Sequence, residues 1–303
     1  MVGSPQREIP HSLVERIEKW NTKATTEFDC SMTRMFWHAC VSELTAVKPG
    51  NVHCFAAGHG MEVEHFLKSA YAVAGVLGNS QLGTAQKIYQ SVQATRQAVA
   101  MNTNLGIILL CVPIAQACSA MPTKTLQQSV HDEIEALGIQ RSRLIVDAIR
   151  LAAPSGLGKS ARHDVCEPVN ATIREIMAFA QESDMIARQY ATGFADVFQF
   201  GFDAMAQFDS DQSESVTGLY LCYLSAYPDT HVCRQHGLAV AKEVQNEAGE
   251  LCRKFQQAGL TGALFDQLLS VDTQWKQRDI NPGTSADLTV ATLFAHQLVN
   301  EVN

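Results

Sequence analysis

The chain has 303 residues, of which 46% are apolar and 18% charged; this is the composition of a soluble globular protein with a large core, and length alone suggests about two domains. Its formal net charge of −8 speaks against broad nucleic-acid binding, which relies on a basic footprint, and a polyanionic ligand would need local cations or a metal to reverse the field. Nine cysteines without a C-x-x-C pair read as reduced, mostly buried thiols of an intracellular protein, not as a disulfide framework or a zinc site.

The N-terminus carries Glu8, Glu15 and Glu18 and no apolar stretch, so no signal peptide is expected. Residues 1–26 read as a polar extension or an amphipathic helix through Leu13, Ile17 and Trp20. Ser31 is placed to cap the next helix. In that helix Met32, Phe36, Cys40 and Val47 recur at helical spacing, and Glu43 falls inside their stripe. A carboxylate on a buried face is costly unless paired, metal-bound or protonated; a structural ion pair at the edge of the stripe accounts for it equally well. Lys48-Pro49 ends the helix, and Pro49-Gly50 supplies the fixed and the permissive φ of a tight turn. Such a turn can aim successive N–H groups at an anion, with Lys48 beside it.

His59, Glu62 and His65 have metal-ligand composition but read better as residues at a helix start. Helical stripes run over Val63–Leu77 and from Leu82 to Val99. Asn102, Thr103 and Asn104 precede the apolar run Leu105–Cys118, where they can cap a helix or leave its first amides facing a phosphate. That run is too short to span a bilayer and contains Pro113. Ser155–Ser160 mimics a phosphate-binding loop, but Ala153 stands where that motif needs Gly and a helical pattern precedes it. It reads as a glycine-rich helix terminus, with Lys159, Arg162 and His163 in reach of a ligand. One long helix is expected from Asp184 to Phe208, its polar stripe formed by Gln189, Asp196, Gln199 and Asp203; seven residues are close to two turns, so Asp196 and Asp203 would project together. Asp229 should cap a helix carrying His231, Arg234 and His236, which form either an anion-facing edge or ordinary surface. Near the C-terminus Arg278 and Asn281-Pro282-Gly283 lead to Ser285, a good N-cap, and Asp287, placed to complement the helix dipole. Alternating strand-like runs are almost absent, so the chain reads as all-α.

Four segments in order, E-x₄-KPGNV from Glu43 with Gly58–Met61, Gly156-Leu157-Gly158 with Asp164-Val165, YATGFADVF at Tyr190–Phe198, and NPGTSADL at Asn281–Leu288, resemble the triphosphoribosyl-dephospho-CoA synthase family. The similarity runs from about Phe36 to the C-terminus. It implies a multi-helix all-α bundle, a single catalytic domain over residues 27–303, and a cytoplasmic enzyme acting on small-molecule nucleotide and cofactor-precursor substrates, with no nucleic-acid or membrane partner and its oligomeric state left open. The implied reaction breaks the adenine–ribose bond of ATP and passes the 5-triphosphoribosyl group to a hydroxyl of 3′-dephospho-CoA or a similar acceptor, with Mg²⁺ as the expected ion. On this reading Glu43 is the catalytic carboxylate and His59 the acid. Lys48, Gly50, Asn51, Asn102, Thr103, Asn104, Arg278 and Ser285 hold phosphate or nucleotide, and Asp196, Asp203 and Asp287 hold metal. Glu43→Gln is expected to abolish turnover with little loss of folding. Relatives commonly read N-T-H-K-G where this chain has Asn104 and Leu105, and Gly-Ser-His-x-Asp-Met where it has Gly58-His59-Gly60-Met61-Glu62. These departures leave room for phosphoribosyl transfer from phosphoribosyl pyrophosphate to another carrier cofactor, such as a methanopterin-type pterin. An N-ribosyl hydrolase and a non-catalytic nucleotide-binding helical protein are further alternatives, the last opposed by the retained Glu43, Lys48 and Asp196.

Overall fold

A computed structural model of the chain describes residues 9–118, 124–154, 168–208 and 212–302. The glycine-rich stretch at 155–160, with Lys159, Arg162, His163 and Asp164-Val165, lies outside the described residues.

Among the described residues the chain forms fifteen α-helices and no strand, with two isolated bridges, His53 to Ala56 and Gly58 to Met61, in the loop after the second helix. In order they are α1 (His11–Glu27), α2 (Ser31–Thr45), α3 (Val63–Leu77), α4 (Thr84–Val99), α5 (Leu105–Ala117), α6 (Leu126–Glu135), α7 (Ile139–Ala152), α8 (Ile173–Ala180), α9 (Met185–Thr192), α10 (Phe202–Met205), α11 (Gln212–Ala226), α12 (Thr230–His236), α13 (Leu238–Ala258), α14 (Gly262–Gln277) and α15 (Gly283–Val302). No described helix is long and apolar enough to cross a membrane.

Two of these helices form the core. Helix α5 is apolar on nearly every side, and Ile108, Leu110, Cys111, Val112 and Ile114 are buried, the pattern of a helix surrounded by others. It packs on α3, α4, α6, α9 and α15. Pro113 lies inside it and cannot donate to the carbonyl of Leu109. The hydroxyl of Tyr190 supplies the missing bond, donating to that carbonyl at 2.7 Å. Helix α15 is the second centre, packed on α2, α5 and α11, with Phe294 edge-on to Phe36.

The N-terminal residues form α1, which buries Leu13 and Ile17 and packs on α2 and α3. Trp20 meets Tyr71 with ring centroids 5.1 Å apart, and Trp37 donates to Asn21 at 2.8 Å. Helix α2 starts one residue earlier in its capping than the sequence suggests: Cys30 is the N-cap, and Ser31, inside the helix, donates to Glu301 at 3.2 Å.

The long helix expected over 184–208 is broken. Gly193 and Phe194 both take left-handed backbone, with φ of 65° and 60°, which ends α9. A π-helical turn then runs over Asp196–Gly201 before α10. Each extra residue in a turn rotates the downstream helix by about 100°, so Asp196 is buried while Asp203 is exposed. The two do not share a face.

Candidate active site

The site is built from the loop between α2 and α3. Gly50 turns the chain with a φ of 81°, and a Cβ there would lie 2.7 Å from Cδ of Pro282 and 3.0 Å from the carbonyl of Ile280. Only glycine meets both demands. Its N–H donates to Asp272 of α14 at 2.9 Å. Asp272 also receives Lys276 at 2.9 Å and lies 3.3 Å from His53. Burial pushes the His53 ring down to about 4 against the pull of Asp272; burial acts the other way on Asp272, but His53 and Lys276 hold its carboxyl below its ordinary range. The loop is thus bolted to α14 by a buried polar group.

At the start of the loop Lys48 forms a closed ion pair with Glu43 of α2, with Lys48 fully buried and Glu43 4% exposed. The ammonium also donates to Asn51 Oδ1 at 3.0 Å and to the Val52 carbonyl at 2.9 Å. All three of its donors are therefore engaged, which corrects the expectation that Lys48 holds phosphate. The Gly50 and Asn51 amides are not available either: the first donates to Asp272, the second to the Lys48 carbonyl at 3.1 Å. Asn51 extends the network by donating to Asn281 at 2.9 Å.

Glu43 and Asn51 open onto a cavity of about 950 Å³, at the upper end of the range for ligand pockets. Its polar half draws on α2, α4, α5, α12 and α15 and includes His59, Arg96, Asn102, Thr103, Asn104, His231, Arg234 and Asp287. Asn102 accepts from the Leu105 amide at 3.2 Å, Thr103 donates to Ser69 at 2.7 Å, and Asn104 accepts from Thr95 at 3.1 Å. These bonds fix the N-terminus of α5 against the cavity, where Leu105, Gly106 and Ile107 form part of its wall. A helix start directed at a pocket favours anions.

Asp287 is the singular group. It projects from α15 against Gly106, where a Cβ would stand 2.5 Å from the Asp287 Cγ. Burial drives its carboxyl well above the usual range, and the charges of Asp229 and Glu43 add to the push. Glu43 is also raised by burial, but Lys48 counteracts it. Two carboxyls thus face one cavity in different electrostatic settings, the condition that separates an acid from a base.

The cations are arranged beside them. Arg234 pairs with Asp184 at 2.6 Å, and its Nε is buried without an acceptor among the described residues. Arg96 is exposed on α4 at the cavity wall. His231 is held below its ordinary value by burial, with Arg234 contributing. Asp229 holds the neighbouring helix starts together: it caps α12 through the His231 and Val232 amides at 2.9 and 3.0 Å and accepts from the amide and hydroxyl of Ser285 at 2.8 and 2.9 Å.

Residues 30–303 match the family model CitG, ATP:dephospho-CoA triphosphoribosyl transferase. The chain belongs to this family. Its reaction is accordingly ATP-dependent triphosphoribosyl transfer to dephospho-CoA, and the match does not favour transfer to another carrier cofactor or a non-catalytic role. Among solved structures, the fold is similar to a crystal structure from Archaeoglobus fulgidus provisionally named a triphosphoribosyl-dephospho-coA synthase, at a TM-score of 0.59 and 21% identity, covering 76% of this chain and 97% of that one. No curated protein gives a significant sequence match.

For a transferase of this family, several residues expected in the site stand elsewhere. Arg278 forms a two-pronged pair with Glu243 of α13 at 2.8 and 3.2 Å on the surface. Ser285 is the third residue of α15, not its cap, and its hydroxyl serves Asp229. Asp287 lies beyond the first turn, so it does not act as a dipole partner of its own helix. Asp196 is held by Arg188 at 2.9 Å, Gln189 at 2.8 Å and Tyr227 at 3.0 Å, which makes it a structural anchor of the π turn. Asp203 is exposed beside a separate small hollow with Cys222 and Cys252. The three carboxylates expected to bind Mg²⁺ are therefore not brought together, and the described residues contain no group of three or more metal-ligating side chains. They do not fit a protein-held ion. His59 lines the cavity, but its Nε2 meets the Gly50 carbonyl at 2.8 Å and its Nδ1 meets Asp279 at 2.9 Å. Both partners are acceptors, so both ring nitrogens are engaged and the ring pins the loop. Glu62 and His65 do mark a helix start: the Glu62 amide donates to His65 Nδ1 at 3.0 Å.

Arg96 and Asp272 gave no motif in the sequence, whereas Asp229 was legible as the cap of α12 but not as the partner of Ser285. Gly106 carried a signal, as the glycine of N-T-N-L-G, that becomes meaningful only once Asp287 is seen against it.

Proposed function

We propose that the transfer takes place between Glu43 and Asp287, with Asp287 as the acid and Glu43 as the carboxylate that faces the sugar. The observation that carries this reading is the cavity the two share. Asp287 has no ion-pair partner among the described residues, and burial with the neighbouring anions favours its protonated form, whereas Glu43, also raised by burial, is drawn back toward its charged form by Lys48. The acceptor O–H attacks C1′ of the ATP ribose and the C1′–N9 bond breaks through an oxocarbenium-like transition state. Asp287 gives its proton to the departing adenine. Glu43 stabilises the cationic sugar and takes the hydroxyl proton, and proton return to Asp287 through solvent closes the cycle. Adenine leaves, and the acceptor oxygen carries the triphosphoribosyl group.

The triphosphate lies along Arg234, His231, Arg96 and the N-terminus of α5, with the orphan Nε of Arg234 as one donor. Mg²⁺ enters as the counter-ion of ATP, consistent with its preference for phosphate and water ligands. The enzyme works in the cytoplasm, where its nucleotide substrates are found.

Adenine release from Mg-ATP, measured with and without dephospho-CoA, tests the reaction. Release that requires dephospho-CoA and matches the adduct formed supports it. Release without acceptor would make the protein a hydrolase, and no release in either case would overturn the reading.

A further inference from the structure

The cavity has a second half of opposite character. Val146 and Ile149 of α7 and Ile176, Met177, Phe179 and Ala180 of α8 line it, and no charged side chain of either helix reaches it. Three arginines of these helices have partners outside it: Arg143 donates to the Val169 carbonyl at 3.0 Å, Arg150 pairs with Asp147 at 2.6 Å, and Arg174 pairs with Glu135 at 2.5 Å. Phe179 is 49% exposed, although large apolar side chains are otherwise rarely left open among the described residues. An apolar wall of this kind excludes phosphate, whose desolvation it cannot repay.

We infer that this half is the subsite for the pantetheine arm of the acceptor, an inference that rests on the reaction proposed above. Charge divides the substrates between the two halves. Both triphosphate and diphosphate need the cations of α4 and α12, which lie in the polar half. The departing adenine must lie beside Asp287, also in the polar half. The pantetheine arm is the one long segment of either substrate that is uncharged and carries methyl and methylene groups. It fits a wall that, among the described residues, offers dispersion contact and no charged side chain from α7 or α8. Phe179 is then the lid of the arm, exposed when the subsite is empty and covered when it is filled.

Steady-state transfer at saturating Mg-ATP provides the test, with KM read for dephospho-CoA and Ki read for ADP, the same acceptor without its arm, as a competitor against it. The wild type should favour dephospho-CoA over ADP by about tenfold or more, the contact value of half an aromatic side chain and its neighbours. Phe179→Ser should raise the KM for dephospho-CoA about tenfold while leaving the Ki for ADP and the KM for ATP within about twofold. Ile176→Ala, a milder change, should move the same constant in the same direction. Equal affinity for dephospho-CoA and ADP, or an equal loss for both in Phe179→Ser, would overturn the subsite and leave the reaction standing. Absence of any transfer by folded wild-type protein would overturn both.

Discussion

Glu43→Gln is the substitution in which structure and chemistry diverge most from the first expectation. Glu43 and Lys48 are buried together, and Lys48 has no access to water. Glutamine keeps an acceptor for the ammonium but removes the charge, so Lys48 is left buried with only Asn51 and the Val52 carbonyl beside it. Removing one partner of a buried pair costs about 3–5 kcal/mol, and the retained acceptor puts this case near the lower figure. The expectation that folding would be little affected is therefore revised: stability should fall by about 3 kcal/mol. Urea unfolding at neutral pH of Glu43→Gln, Lys48→Met and the double variant measures it. The double variant should recover part of the loss, with a coupling of about 1–3 kcal/mol. A cost below about 0.5 kcal/mol for Glu43→Gln, with additive behaviour in the double variant, would refute the closed pair.

The same geometry sets the outcome of other substitutions. Asp287→Asn should stabilise the protein at neutral pH: the folded carboxyl holds its proton above the ordinary range, so its contribution is favourable in acid and is lost as pH rises through the folded value. The melting temperature of the variant should exceed that of the wild type by roughly 2–4 °C near pH 7, with the gap closing below about pH 4. Gly106→Ala should gain up to about 1 kcal/mol of helix propensity yet lose most activity, because the new methyl group displaces the Asp287 carboxylate; retained activity would show that Asp287 need not sit there. Arg278→Ala should change stability by less than about 1 kcal/mol, as expected for an exposed pair, and leave the KM for ATP unchanged.

The helical class and most helix positions were legible because apolar residues recur at 3.6-residue spacing, and α3 runs from Val63 to Leu77 as that spacing indicates. Glu43 could be singled out because its place in an apolar stripe is costly. Partnership across distance was not legible. Arg278 looks like a phosphate ligand until Glu243, 35 residues away, is seen beside it; Gly50 looks like an anion cradle until Asp272 takes its amide. The stripe through Asp196 and Asp203 failed for a local reason, since a left-handed pair and a π turn shift the phase that a helical count assumes. His231 and Arg234 stood undecided between site and surface, and only the packing of α12 on α15 gives them the cavity.

The most direct test of the account is the single-turnover rate of adenine release by Asp287→Asn at saturating Mg-ATP and dephospho-CoA. The variant should be at least as stable as the wild type, with a KM for ATP within a few-fold and a rate lower by about 10²–10⁴, the usual worth of a positioned acid. A folded Asp287→Asn enzyme that releases adenine at nearly the wild-type rate would contradict it.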